Sequence, residues 1–237
     1  MAMTLLAMAQ AVSDEISFAR PASLFSNPDT TARQMLALAN REGMEQSSAF
    51  AWPQLRRLEQ FDTVSGTQAY DMPADFSRMI AATIWSEGLR WPLLGPLTPQ
   101  EWATQIYGWQ NFGPRARFRL MQNQMWLWPI PDSVDTIVYE YEGTGWALNA
   151  DGVTYQSAWL NDTDTFALDE QAFMLGLKWR LLRAKGQDYQ QEQKTYVDAL
   201  DRAMGRSAGN RTLSLGGQNM GVRLLDWNNI PSTGFGE

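Results

Sequence analysis

Three arginines alternate at Arg115, Arg117 and Arg119, so an extended chain puts their guanidiniums on one face and Ala116, Phe118 and Leu120 on the other. Such a row could hold phosphates or an acidic partner. A solvated sheet face explains it as well and is the preferred reading, because no aromatic residue interleaves with the arginines on that face. Trp126 and Trp128 share a face of the next extended stretch and could stack on sugars or bases. Packing against a helix or a neighbouring subunit is preferred for them, since exposed aromatic pairs are uncommon on monomers. Glu140 and Glu142 alternate on one strand face; glycoside hydrolysis wants carboxyls on opposed walls of a cleft, so surface charges are the better reading. The run Asn161-Asp162-Thr163-Asp164-Thr165 lacks the glycine and the twelfth-position glutamate of an EF-hand loop, which leaves an Asx-turn and cap before a helix at Asp169.

Absences narrow the chemistry further. The 237 residues contain no histidine and no cysteine, which removes Ser-His-Asp and Cys-His catalysis, His-ligated zinc, thiolate metal sites and disulfides. Neither a phosphate-binding G-x-x-x-x-G-K-[ST] run nor a dinucleotide G-x-G-x-x-G run occurs. No catalytic set and no cofactor are therefore expected. A formal net charge of −7 repels nucleic acid overall. Nothing approaches the roughly 18 consecutive apolar residues of a membrane span, and the opening MAMTLLAMAQAVSDE has no basic segment of the kind that begins a signal peptide. Eleven tryptophans and 44% hydrophobic residues imply a large core, interfaces, or both.

The elements that would position these residues are legible from period. Leu168, Ala172, Leu175, Trp179 and Leu182 fall on one helical face, Gly186 stands where a helix needs a left-handed C-terminal residue, and a second helix follows through Tyr189, Tyr196, Leu200 and Met204. Near the N-terminus, helices are expected from Thr4 to about Ser17, ended by Arg20-Pro21, and from Thr30 or Thr31 to about Ser47, with Thr31 and Gln34 at capping-box spacing and Trp52-Pro53 as the stop. Between them the period becomes two. Phe61–Val64 and Ala69–Met72 read as a hairpin about Ser65-Gly66-Thr67, and a further strand runs through Ala82, Ile84 and Trp85. A short helix follows Thr98-Pro99, and strands follow over 115–121, 125–128 and 135–141. After Arg206 the period disappears, yet Leu213, Leu215, Val222, Leu224, Leu225, Trp227, Ile230 and Phe235 punctuate a glycine-bearing stretch. Those residues suit an extended arm whose apolar anchors fit a partner.

The order of these parts resembles the head-to-tail adaptor family of tailed bacteriophages, which includes tail accessory factors and tubular adaptors. The stretches that carry the resemblance are TLLAMAQAVSDE, TTARQMLALANREG with its trailing AFAWPQL, YDMPADFSRMI, and DTDTFALDEQAFMLGLKWRLLRAKGQDYQQEQKTYVDAL, which cover most of residues 4–204. The arm after Arg206 is longer than in the shorter members. The resemblance implies a non-enzymatic virion protein, made in the host cytoplasm, that forms a dodecameric ring beneath the portal protein and offers a surface to tail or nozzle proteins. DNA would pass through its lumen without sequence-specific binding.

The expected fold is thus α+β. A helical bundle is built from residues 1–54 and 161–206, a small antiparallel β-domain occupies residues 55–160, and an arm spans residues 207–237. By analogy the eight apolar anchors of the arm would bind the portal, while Arg115, Arg117, Arg119, Trp126 and Trp128 are candidates for subunit or tail contacts. A Trp-rich carbohydrate-binding or cell-wall-acting virion component is the alternative, and a DNA-binding packaging factor a third possibility.

Overall fold

The computed structural model describes residues 2–108 and 116–207, which combine helices with antiparallel sheet in an α+β arrangement. The helices among them are α1 (Leu5–Glu15), α2 (Thr30–Ala49), α3 (Pro99–Tyr107), α4 (Glu170–Ala184) and α5 (Gln190–Ser207). Their starts are set by side chains that satisfy otherwise orphaned N–H groups: Thr4 accepts from Ala7, Asp29 from Thr31, and Asp169 from Ala172. Thr98 and Glu101 cap each other reciprocally behind Pro99. The box expected from Thr31 and Gln34 does not form, because the Asp29 carboxylate takes the cap and the helix already begins at Thr30.

The helix ends are as local as the starts. Gly186 adopts φ of 70°, and the N–H groups of Gly186 and Gln187 reach the carbonyls of Arg183 and Leu182, the paired bonds of a left-handed glycine cap. Helix α1 stops before Arg20-Pro21. Ser17 turns left-handed at φ 57° and Phe18 N–H bonds the Ser13 carbonyl, which closes the helix at Glu15, two residues short of Ser17.

Helices α1, α2 and α5 each pack against α4, and no residue of α4 from Ala172 to Leu182 is exposed. This corrects the single stripe expected from the sequence. Of that stripe Leu168, Ala172 and Trp179 are buried, but so are Phe173, Gly176, Leu177, Arg180 and Leu181, because neighbours lie on more than one side. The core around α4 gathers Leu5, Met8, Val12, Met35, Trp52 and Phe173. Trp146, Trp159 and Phe166 join it from outside the helices, with Trp159 5.3 Å from Trp146 and 5.6 Å from Phe173 between ring centroids.

The Asn161–Thr165 loop locks the N-terminal segment to this core. Its carbonyls at Asp164 and Asp162 accept the first N–H groups of α1, from Leu5 at 2.7 Å and Leu6 at 3.1 Å. The Asp162 carboxylate also takes the Ser23 hydroxyl at 2.5 Å and the Leu24 N–H at 2.9 Å. Asp162→Ala leaves that N–H unpaired beside buried Leu24, and an expected loss of about 1–3 kcal/mol should appear as a lower urea midpoint.

Among the described residues there are eleven short strands: β1 (Arg56–Asp62), β2 (Ala69–Asp71), β3 (Phe76–Met79), β4 (Trp85–Ser86), β5 (Trp91–Pro92), β6 (Arg117–Met121), β7 (Gln124–Trp128), β8 (Thr136–Gly143), β9 (Ala147–Leu148), β10 (Tyr155–Gln156) and β11 (Thr165–Phe166). Strand β8 is the spine of one sheet, ordered β1-β8-β4-β5 with β3 also on β8. The others are β2-β7-β6 and β10-β9-β11. The hairpin expected between Phe61–Val64 and Ala69–Met72 is not made. A turn does stand there, with Thr67 N–H on the Val64 carbonyl, but it passes the chain from one sheet to another. All seven residues of β1 find partners on β8, and β2 pairs with β7. Nor does a full strand run from Ala82. That residue sits at φ 61°, and the Thr83 hydroxyl, accepting from Glu140 N–H, replaces the ladder bond until Trp85. Met72, Ile84, Phe118, Met125, Leu127, Ile137, Tyr139 and Tyr141 form a second core between the sheets.

Candidate interaction surface

The left-handed pair Gln122 and Asn123, at φ 55° and 59°, makes the tight turn that sets β6 against β7. The resulting register places Arg117 opposite Trp128 and Arg119 opposite Trp126, with Ala69 on the far side of Trp126. Directly paired residues share a face. The expectation that the arginine face carries no aromatic residue is therefore overturned: the interleaving comes from the neighbouring strand, which a one-strand pattern cannot reveal. Phe118, Met125 and Leu127 point the other way into the core. Arg115 lies outside the described residues, as do all eight apolar anchors of the arm, Leu213, Leu215, Val222, Leu224, Leu225, Trp227, Ile230 and Phe235.

This face is not an open platform. Arg117, Arg119, Trp126 and Trp128 are all half-buried, Arg117 bonds the Gln105 side chain of α3, and the Trp126 indole N–H is buried without an acceptor among the described residues. A flat sugar-stacking shelf would need Trp126 and Trp128 fully presented. Glu142 accepts two bonds from Arg78, at 2.8 and 2.9 Å, which makes it an ion-pair partner on the sheet surface.

Two charged constellations went unforeseen. In the first, Glu42 of α2, wholly buried, bonds Arg180 Nε of α4 at 2.6 Å, and Arg180 reaches Glu45 at 2.6 Å while its guanidinium lies 4.6 Å from the Trp179 ring centre. Gly176 gives the Glu42 carboxyl its space: a Cβ there would stand 2.2 Å from the carboxyl carbon. Burial pushes the Glu42 carboxyl up despite Arg180, and burial with the nearby Glu42 charge pushes the Tyr196 phenol of α5 up. For Glu45 the bonds from Arg41 and Arg180 outweigh burial and hold its carboxyl down. The available signal was a charge on an apolar period, since Glu42 follows Met35 and Ala39 on the buried face of α2.

The second constellation clamps the two cores together. Arg57 of β1 pairs with Asp75, stacks 4.5 Å from the Tyr155 ring centre, and passes over Gly143, where a Cβ would stand 2.8 Å from its Nε. The Tyr141 hydroxyl donates to Asp75 at 2.9 Å, and burial together with that carboxylate pushes the phenol up to about 12.

The two carboxylates on Arg180 carry opposite pH signs. Glu45, held down, contributes stability above the ordinary carboxylate range that is lost as pH falls; Glu42, pushed up by burial, contributes stability in acid that is lost as pH rises through its folded value. Glu42→Gln should therefore make stability rise more steeply from about pH 4 to pH 7, and Glu45→Gln should flatten that rise. Urea midpoints measured across this range check both slopes.

Fold and site together define a mixed α+β protein whose charges and aromatic rings join one element to the next: helix to helix at Arg180, core to core at Arg57, strand to helix at Arg117. A family model for SU10 adaptor proteins matches residues 3–221, and the chain belongs to that family, consistent with a phage head-to-tail adaptor. No curated protein matches it. Among the described residues no helix is long and apolar enough to cross a membrane.

Proposed function

We propose that this phage structural adaptor works as one segment of a closed ring, dodecameric as its resemblance implies, seated under the portal and extending the DNA channel toward the tail. The observation that carries the reading is family membership over residues 3–221, nearly the whole chain. Residues 1–54 and 161–206 serve as a helical platform packed side by side between copies, and residues 55–160 as an inserted β-domain that meets tail or nozzle components. In support, the Asn161–Thr165 loop and α4 tie the N-terminal helices α1 and α2 to the C-terminal half of the chain. Arg115, Arg117, Arg119, Trp126 and Trp128 are the candidate subunit or tail contacts, because paired guanidiniums and indoles suit protein interfaces. A net charge of −7 suits a lumen through which DNA slides, since a cationic wall would bind phosphates at every step.

Residues 207–237 are assigned to the portal, through Leu213, Leu215, Val222, Leu224, Leu225, Trp227, Ile230 and Phe235. Deleting 207–237 is expected to abolish co-sedimentation with isolated portal rings. Undiminished portal binding by the truncated chain would overturn the assignment.

A further inference from the structure

Helix α5 is held differently from the helices beside it. Of its eighteen residues only Tyr196 and Ala203 are buried, whereas α4 buries seven of fifteen. Its charged ties to α4 reach solvent: Lys178 meets Glu192 at 3.2 Å with 30% of the Glu192 side chain exposed, and Arg206 meets Asp169 at 2.8 Å with 68% of Arg206 exposed. Pairs of that kind contribute little. An open cleft of about 430 Å³ runs beside α4 and α5, lined by Leu175, Ala199 and Arg202.

Tyr196, one of the two buried side chains of α5, covers a group that gains from being uncovered. Glu42 is wholly buried, and from α5 the Tyr196 hydroxyl hydrogen-bonds it. Returning water to that carboxylate offsets part of the cost of wetting apolar surface when α5 lifts. The corner behind α5 is unhindered, with nothing within 4 Å of where a Gly186 Cβ would stand. Freed from its neighbour, α5 loses the tertiary packing from which most helical stability in proteins comes.

We infer that α5 is a releasable strap, which parts from α4 at the Gly186 corner while α1, α2 and α4 stay packed. Its release uncovers Leu175, Trp179 and the Glu42–Arg180 pair. The inference does not depend on the assignment of ring or portal contacts. Native-state hydrogen exchange of the full chain across a urea series below the unfolding transition tests it. Amides of residues 194–206 are expected to exchange about tenfold or more faster than those of residues 174–184, with a shallow urea dependence, while α1 and α4 follow the steep dependence of global unfolding. A single rate scale and a single steep dependence shared by α4 and α5 would overturn it.

Discussion

Gly43→Ala is expected to destabilise the protein by about 3 kcal/mol, although alanine in a helix interior ordinarily gains about 1 kcal/mol over glycine. The reason is the Trp146 ring, which lies so close over α2 that a Cβ on Gly43 would stand 2.3 Å from its nearest carbon. That ring cannot yield easily, because it is 2% exposed and wedged edge-on against Trp159 and Phe166. Gly205 in α5 supplies the internal control. Nothing stands within 4 Å of its added Cβ, so Gly205→Ala should show the bare propensity gain, up to about 1 kcal/mol. Urea unfolding of the two variants should thus give opposite signs. Two stabilised variants would mean that α2 does not sit on Trp146.

The second large effect concerns Arg180. Arg180→Met is expected to cost about 3–5 kcal/mol, since it strands the wholly buried Glu42 carboxylate without its cation. The double variant Glu42→Gln with Arg180→Met should recover most of that loss, because it removes the buried charge along with its partner. A double-mutant cycle read by urea unfolding separates the outcomes. Additive losses would show that the two side chains do not act as a pair, and hence that α2 and α4 are not held together by charge.

The sequence was read best where structure is local. Thr4, the Thr98–Glu101 box and Gly186 act on backbone groups within five residues of themselves, so these helix starts and the left-handed corner are written in short stretches of chain, whereas the cap expected from the Asn161–Thr165 run falls instead on Asp169 itself. Pairing across the chain is different. Nothing between Phe61 and Met72 indicates that β1 prefers a strand about eighty residues away to the one just past the turn; length and alternation in β8 decide it. The same limit hid the joint Arg–Trp face, since Arg119 and Trp126 meet only once the register of β6 and β7 is known. Glu42 and Arg180 were hidden for another reason. Charges on helices are normally solvated, and only Gly176 on the facing helix makes room for a buried carboxylate.

Native mass spectrometry of the protein mixed with isolated portal rings decides whether it is a tube segment. A closed ring of identical copies bound to each portal assembly, with no population of singly bound chains, is the expected result. Single copies scattered on the portal, or a protein that stays monomeric beside it, would contradict it.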